Sequence, residues 1–525
     1  MSKQYSFNLL AEPWIPVVDH GGAARLISLR EALVNAPAYR TLSASLPHAS
    51  AAVLRLLLAV LHRNFGPADT PDWEKIWNAG CFNPAALEAY FTRWQDRFDL
   101  FDETHPFFQQ RHPLVEEKPA QALLQAVGGG DTFTLFDHVM DATPFSLTPA
   151  EAALLLVTTQ AFALAGLCHP QLKLVYTDAP CSRAVVFFVE GKNLFETLMY
   201  NLVRYNRAEP FPWNAQTGDR AFWEAEGDPY KPDRTIPLGY LDYLTWPNRR
   251  LRLIPEEHNG QVRVTRITTA PGLLLDAALH NPMHHYRIDP GKKAGEEIYK
   301  VLRFSEGRAL WRDSNALLDL RGQNREIPRA IRWVGELVNE GILPSGGRMQ
   351  LAAYGMCTEP GKQKVYFYRR EGFEIAPALL KDELLIEKLD TALKHARDLG
   401  DSLRFVIREL AAWIVALDAN QETIQKSAAK KDDDVSKLMA HWNAEGLFWN
   451  NLEVPFYSFL HRLPDDSRGA EDNWNEALER AFRGAYNQTV ENLGDDLKAL
   501  KAAAYTRGRL NYSLKKVLGE KPVED

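Results

Sequence analysis

Four cysteines in 525 residues, Cys81, Cys168, Cys181 and Cys357, are too few and too scattered for a disulfide framework. None stands in the paired short spacing of a zinc knuckle, and the usage fits a reducing cytoplasm. No stretch approaches the ~18 consecutive apolar residues of a membrane span, and no basic segment leads into a long apolar run at the N-terminus. Export and membrane insertion are therefore not expected. Positive charge is short as well: 61 Lys and Arg against 68 Asp and Glu give a formal net charge of -7, which argues against an autonomous nucleic-acid binder. Net charge leaves room for local basic surfaces.

Enzyme signatures are missing too. There is no Gly-x-Ser-x-Gly, no His-Glu-x-x-His and no Gly-x-Gly-x-x-Gly after a strand. The nearest approach to a phosphate loop, "GMCTEPGKQ", has one residue too many between Gly355 and Gly361, and Gln363 where a magnesium-holding Ser or Thr belongs. His280, His284 and His285 in "HNPMHHY" offer metal-ligand chemistry, but Pro282 interrupts helical presentation. Cys168 and His169 are chain neighbours, whereas a thiolate and its base usually come from distant segments. The Asp432–Asp434 run lacks the spaced oxygens and the glycine of a calcium loop. No cofactor and no metal are expected. An enzyme built on the Cys/His pair or the three histidines stays open as the alternative.

What is present is a globular composition, 46% hydrophobic, with 13 Trp, 18 Tyr and 25 Phe to fill a large core. The length suggests two or three domains. "FNLLAEPWIPVV", a Gly21-Gly22 turn and "AARLISL" read as a β-hairpin whose prolines confine the first strand to an edge or to irregular pairing, with Trp14 anchoring it to a core. Helical periodicity follows over His48 to Phe65 and Asn83 to Phe98, the latter with Asn83 as N-cap and Pro84 at the first helical position. A third helix begins at Thr148 with Glu151 completing a capping box. From Lys173 to Arg370 short strands alternate with long loops. Beyond about Glu371 the pattern is almost wholly helical, with long amphipathic segments and short connections. The expected fold is α+β: a large irregular mixed domain over 1–375 and a C-terminal four-helix bundle over 376–525.

One feature stands out, two strands around a tight turn: "RMQLAAYGM", "CTEPGKQ", "KVYFYRRE". Pro360-Gly361 presets the turn, and Lys362, Gln363, Lys364, Arg369 and Arg370 decorate its tip and returning strand. Such a hairpin can project from a body. Other basic clusters interleave with aromatics, among them Arg249, Arg250 and Arg252 beside Trp246, and Lys292 and Lys293. Positive charge holds phosphates while planar groups stack on bases.

"FNLLAEPWIPV" together with "HPFFQQ" (His105 to Gln110) resembles the CasA family, the large subunit of the type I-E CRISPR Cascade complex. The later order of features is similar as well: a glycine loop, a long helix, "WRD" (Trp311 to Asp313), a projecting hairpin and a helical bundle. The resemblance covers nearly the whole chain. It implies a cytoplasmic, non-catalytic subunit whose partners are the other Cascade subunits, the crRNA, target double-stranded DNA carrying a PAM, and a recruited helicase-nuclease. It also implies PAM recognition from the minor-groove side and help in opening the duplex for R-loop formation. By position, Thr358, Glu359, Pro360 and Gly361 form the wedge hairpin, with Gln363 or Lys362 inserting and Lys364 beside them. Gly128, Gly129, Gly130, Phe133 and Phe136 match the loop at the crRNA handle and neighbouring subunit. Arg249, Arg250, Arg252, Lys292 and Lys293 are candidate DNA-backbone contacts. One departure matters: where relatives carry a glycine-rich PAM loop, this chain has "AGLCHPQLK" and keeps only Gly166. His169, Gln171 or Lys173 then read the groove, and an altered or relaxed PAM preference is expected. A scaffold that never touches DNA is the remaining alternative.

Overall fold

The computed structural model describes residues 5–124, 145–205, 218–230, 234–290, 297–320, 325–358, 365–416, 433–494 and 496–519. The chain divides into two compact units. The first comprises Met1–Arg308 and Leu320–Gly372, the second Ala309–Asp319 and Phe373–Asp525. The division by sequence at 375/376 did not assign Ala309–Asp319 to the helical part.

In the first unit β1 (Ile15–Asp19) pairs antiparallel with both β2 (Ala24–Ile27) and β3 (Tyr39–Leu42). Of the two outcomes the prolines allow, the edge does not hold, since β1 is the central strand of this sheet, and irregular pairing does, with a register shift between Val18 and Asp19 against β3. Pairing with β3 begins only at Val17, one residue past Pro16, so the missing N–H costs no ladder bond there; the Pro16 carbonyl accepts Ser43 N–H at 2.9 Å. Trp14 is 1% exposed and donates Nε1–H to Leu9 O at 3.1 Å, a core anchor.

The helices α1 (Leu29–Val34), α2 (Pro47–Phe65), α3 (Thr70–Ala79), α4 (Pro84–Trp94) and α5 (Pro149–Phe162) follow in chain order. Most begin where a side chain satisfies the first N–H groups. Asn83 Oδ1 accepts from Ala85 and Ala86 N–H, and the Thr148/Glu151 box closes in both directions. Helix α2 is buried continuously from His48 to His62 rather than along one face, so it forms the centre of the unit. It carries His48, Arg55 and His62 inside. His48 stacks on Tyr368 with ring centroids 4.1 Å apart.

Burial pushes His48 down to about 3 and His62 to about 4; burial, with the Arg55 and Arg303 charges, pushes His284 to about 3. In the unfolded chain these groups bind protons near pH 6.5. Stability is therefore fully present above that value and falls as pH drops from 6.5 toward 3–4. His48→Phe is expected to flatten the pH dependence of stability, measured by urea unfolding between pH 6 and 4.5, by about 1.4 kcal/mol per pH unit.

The remaining strands are β4 (Lys118–Pro119), β5 (Gly166–His169), β6 (Leu174–Tyr176), β7 (Val186–Glu190), β8 (Arg249–His258), β9 (Gln261–Pro271), β10 (Tyr286–Pro290), β11 (Glu297–Val301), β12 (Arg325–Glu326), β13 (Met349–Thr358) and β14 (Val365–Ile375). They form small sheets ordered β4-β9-β8, β14-β13-β7 and β11-β10-β12, and a two-stranded β5-β6 ribbon. The β8-β9 turn is Asn259-Gly260, both with positive φ, as a tight primed hairpin turn requires. The outer edge of β8 is closed by glutamines. Gln160 exchanges hydrogen bonds with Arg249 N–H and carbonyl, Gln110 N–H reaches Leu251 O, and Gln109 Oε1 accepts Leu253 N–H. The "HPFFQQ" segment therefore protects an edge that would otherwise present open backbone groups.

In that unit too lie α6 (Leu194–Asn201), α7 (Tyr240–Leu244) and α9 (Arg329–Asn339); α8 (Ser314–Leu318) belongs to the second. The second unit is helical: α10 (Glu383–Val415), α11 (Asp433–Trp442), α12 (Ala444–Arg462), α13 (Ser467–Glu491) and α14 (Leu497–Leu518). The four long helices make the expected bundle. Helix α12 escaped sequence reading because Pro455 lies inside it and its polar and apolar residues contrast little. Trp311 of the "WRD" segment is buried among Phe456, at 4.6 Å between ring centroids, and Trp474. Trp474 in turn donates to Ala392 O of α10.

Candidate nucleic-acid interface

The chain between α5 and β7 folds back as the β5-β6 ribbon, with Leu167 opposite Val175 and a bulge between Leu167 and His169. Gly166 opens β5 and is half-buried. His169 closes it, and its Nδ1 accepts Leu172 N–H at 3.3 Å. Gln171 and Lys173 stand exposed in the turn, which Lys173 N–H closes onto Pro170 O at 3.1 Å. Lys173 has φ of 53°, a left-handed conformation unusual for a side-chain-bearing residue.

The ribbon's inner face is fixed to β9. Tyr176 Oη donates to Thr269 O at 3.0 Å, and Cys168 Sγ lies 3.6 Å from the same carbonyl. Lys118 Nζ donates to Tyr176 Oη at 3.2 Å. Arg249 places its guanidinium 4.5 Å from the centre of the Tyr176 ring, donating to Leu164 O at 2.8 Å and Thr177 O at 2.9 Å, one at each end of the ribbon. Burial pushes Lys118 below its ordinary value, Tyr176 above its own, and Arg249 down to about 10.

From Gly166 to Thr177 there is no carboxylate. The first, Asp178, accepts from Arg183 at 3.0 Å and from Ala165 N–H at 2.7 Å. An acid-free, cation-backed ribbon inside a net-acidic chain is an electrostatic preference for an anion.

Several sequence-based assignments change. Arg249 is 3% exposed with its donors on carbonyls, so it is a structural brace, not a phosphate contact. Arg250 lies over the Tyr230 ring at 4.5 Å, and Arg252 is half-buried. On β14, Arg370 pairs with Glu190 at 2.5 Å and Arg369 pairs with Glu371, so neither decorates the hairpin as a free charge. Thr358 ends β13 with Oγ1 within 3.5 Å of Arg183 Nη1. Glu359, Pro360, Gly361, Lys362, Gln363 and Lys364 lie outside the described residues. So do Gly128, Gly129, Gly130, Phe133 and Phe136, and Lys292 and Lys293. Cys168 and His169 serve different partners. His284 is buried 3.2 Å from Asn281 Nδ2, and His280 Nδ1 bonds to Glu326 at 2.7 Å. Among the described residues no three His, Cys, Asp or Glu groups converge as metal ligands, and no helix is long and apolar enough to cross a membrane.

Sequence reasoning missed Tyr176, Thr269 and Lys118 as the ribbon's supports. Alternation in "LVY" would have turned Tyr176 inward with Leu174, but Lys118 comes from a two-residue strand that leaves no periodic signal.

The model of the family CRISPR-associated protein Cse1 matches residues 8–485. A CRISPR-associated protein CasA/Cse1 of Thermus thermophilus is 33% identical over 518 residues, covering 96% of each chain. A crystal structure of Thermus thermophilus CasA superposes with a TM-score of 0.76 at 29% identity, covering 98% of this chain and 100% of that one. A chain of a CRISPR RNA-guided surveillance complex, 20% identical, shares the fold at a TM-score of 0.72 over 96% of this chain and 99% of its own. With the match running from the Trp14 hairpin into the bundle, the chain belongs to the CRISPR-associated protein Cse1 family.

Proposed function

We propose that this protein is the large, non-catalytic subunit of a type I-E CRISPR Cascade complex, and that it makes target binding depend on a PAM. The observation that carries this reading is the β5-β6 ribbon: an acid-free turn presenting Gln171 and Lys173 on a buried, hydrogen-bonded base. Family membership supplies the setting. In this reading the ribbon meets the PAM duplex from the minor-groove side. The tip between β13 and β14, with Gln363 or Lys362, wedges the first base pairs apart. Opening costs ~1.4 kcal/mol per step on average, so the wedge need hold only the first few steps before guide pairing takes over. The Gly128–Phe136 loop contacts the crRNA handle, and other surfaces receive the neighbouring subunits and the helicase-nuclease.

The test is target-duplex binding by the reconstituted guide complex, with and without this subunit, across a randomised PAM library at one fixed salt concentration, since phosphate contacts are salt-dependent. PAM-dependent tightening is expected only when the subunit is present, and is expected to be lost in the Lys362→Ala/Gln363→Ala double variant. Equal, PAM-independent binding in both cases would leave a scaffold.

A further inference from the structure

The outward face of the ribbon is more apolar than a purely polar reader needs. Leu167 and Val175 are direct cross-strand partners, 60% and 56% exposed, and Leu172 at the turn is 37% exposed. Pro170, close to it in the turn, is exposed as well. Leu172 and Pro170 lie at the hairpin tip with Leu167 and Val175 on the strands behind it, and a contiguous exposed apolar face of this kind marks an interaction site.

We propose that the Pro170–Lys173 tip is an aliphatic minor-groove wedge: Pro170 and Leu172 enter between base pairs of the PAM duplex while Gln171 and Lys173 hold the groove edge and the backbone. The proposal rests on the reading that this ribbon faces the PAM.

Three observations carry it. First, the tip is stiff. The His169 ring fixes Leu172 N–H, and Lys173 N–H closes the left-handed turn on Pro170 O. A wedge must not collapse when it meets stacked bases. Second, the base is braced where force would be transmitted. Arg249 ties Leu164 O to Thr177 O, and Tyr176 and Cys168 both meet Thr269 O. Third, charge selects the occupant. The ribbon has no carboxylate, Lys173 stands at its tip and two further cations lie behind it, which suits DNA and disfavours a basic or neutral protein groove.

Width decides how it enters. The minor groove is ~6 Å across, while two paired strands with their side chains are wider, so only the tip fits. Proteins that enter this groove commonly insert Pro, Leu, Ile, Phe or Met at a base step and kink the duplex. The energy then depends on how easily the step unstacks, least for TA and CA/TG steps and most within A-tracts. A chain with Pro170 and Leu172 at this tip would read its PAM partly through deformability.

The test uses the full guide complex and duplexes with 2-aminopurine at a step inside the PAM, away from the first protospacer base pairs that the Lys362/Gln363 tip is proposed to open, the protospacer itself mismatched to the guide so that no R-loop forms. The native complex is expected to raise 2-aminopurine fluorescence and to prefer TA over an A-tract at that step. Pro170→Ala/Leu172→Ala is expected to abolish the rise and to lower PAM-dependent affinity about tenfold. Leu172→Phe, which keeps a wedge, is expected to retain both. If the double alanine variant keeps the fluorescence rise and the step preference, or if the native complex shows PAM dependence without any rise, the wedge is overturned and the proposed function stands. If the variant drops out of the assembled complex instead, the apolar face belongs to a protein neighbour and the wedge is again overturned. Absence of PAM dependence in the native complex would remove the proposed function as well.

Discussion

Replacing Arg55 with alanine is expected to lower the stability of the first unit by about 3–5 kcal/mol, read as a shift of the urea midpoint at unchanged slope. Arg55 sits at the middle of α2, buried on every side, and no carboxylate lies within ion-pair distance of it among the described residues. Neutral groups hold its charge instead. Nη1 donates to Tyr243 Oη and contacts Met283 Sδ, both at 3.0 Å; Nη2 donates to Tyr243 O at 2.9 Å; and the guanidinium lies 4.5 Å from the Tyr243 ring centre. The Tyr243 and Leu244 carbonyls end α7, so the cation also meets the negative end of a short helix. Alanine removes the donors and leaves a cavity beneath the central helix. Arg55→Met fills the space but removes both guanidinium donors, leaving Tyr243 O with only its backbone bond from Trp246 N–H, and is expected to cost roughly 1–3 kcal/mol. The difference between the two variants separates packing from hydrogen bonding. A loss in alanine no larger than in methionine would mean that the site collapses without a cavity.

Much of this architecture is legible in the sequence where local chemistry decides it. Asn83-Pro84 and Thr148/Glu151 mark helix starts because an orphan N–H needs an acceptor within three residues, and both caps form. Runs such as "VVFFVE" and "RVTRIT" become β7 and β9 because β-branched and aromatic residues fit a pleated surface. Illegible features depend on distant partners. The prolines allowed an edge strand or irregular pairing, and the choice fell to a distant partner: β3 joins one residue past Pro16, makes β1 central and shifts register between Val18 and Asp19. Helix α12 carries a proline and is held by the helices around it. In the candidate site, the family resemblance pointed to His169, Gln171 or Lys173; Gln171 and Lys173 are exposed at the turn, while His169 is half-buried and holds Leu172 N–H. Composition put Arg249 on the surface, because nothing in "NRRLRL" says which arginine faces inward until Leu164, Thr177 and Tyr176 are folded around it.

That distinction gives opposite expectations for two cations near one ribbon. Arg249→Lys keeps the charge, but an ammonium cannot span Leu164 O and Thr177 O as the guanidinium fork does. The change is expected to cost about 2–3 kcal/mol in a urea melt, to speed amide exchange across 165–177, and to weaken PAM-dependent binding because the turn loses its base. Lys173→Ala removes a solvated charge at the tip. It should leave the melt within ~0.5 kcal/mol of the native protein while lowering the salt slope of duplex binding by about one and weakening all sequences alike. Were Arg249→Lys to change only the salt slope and leave exchange at 165–177 untouched, the buried brace would be wrong and the arginine would be a phosphate contact after all. Were Lys173→Ala to unfold the ribbon, the left-handed turn would depend on the lysine side chain, and the lysine would be a structural support of the ribbon like Arg249.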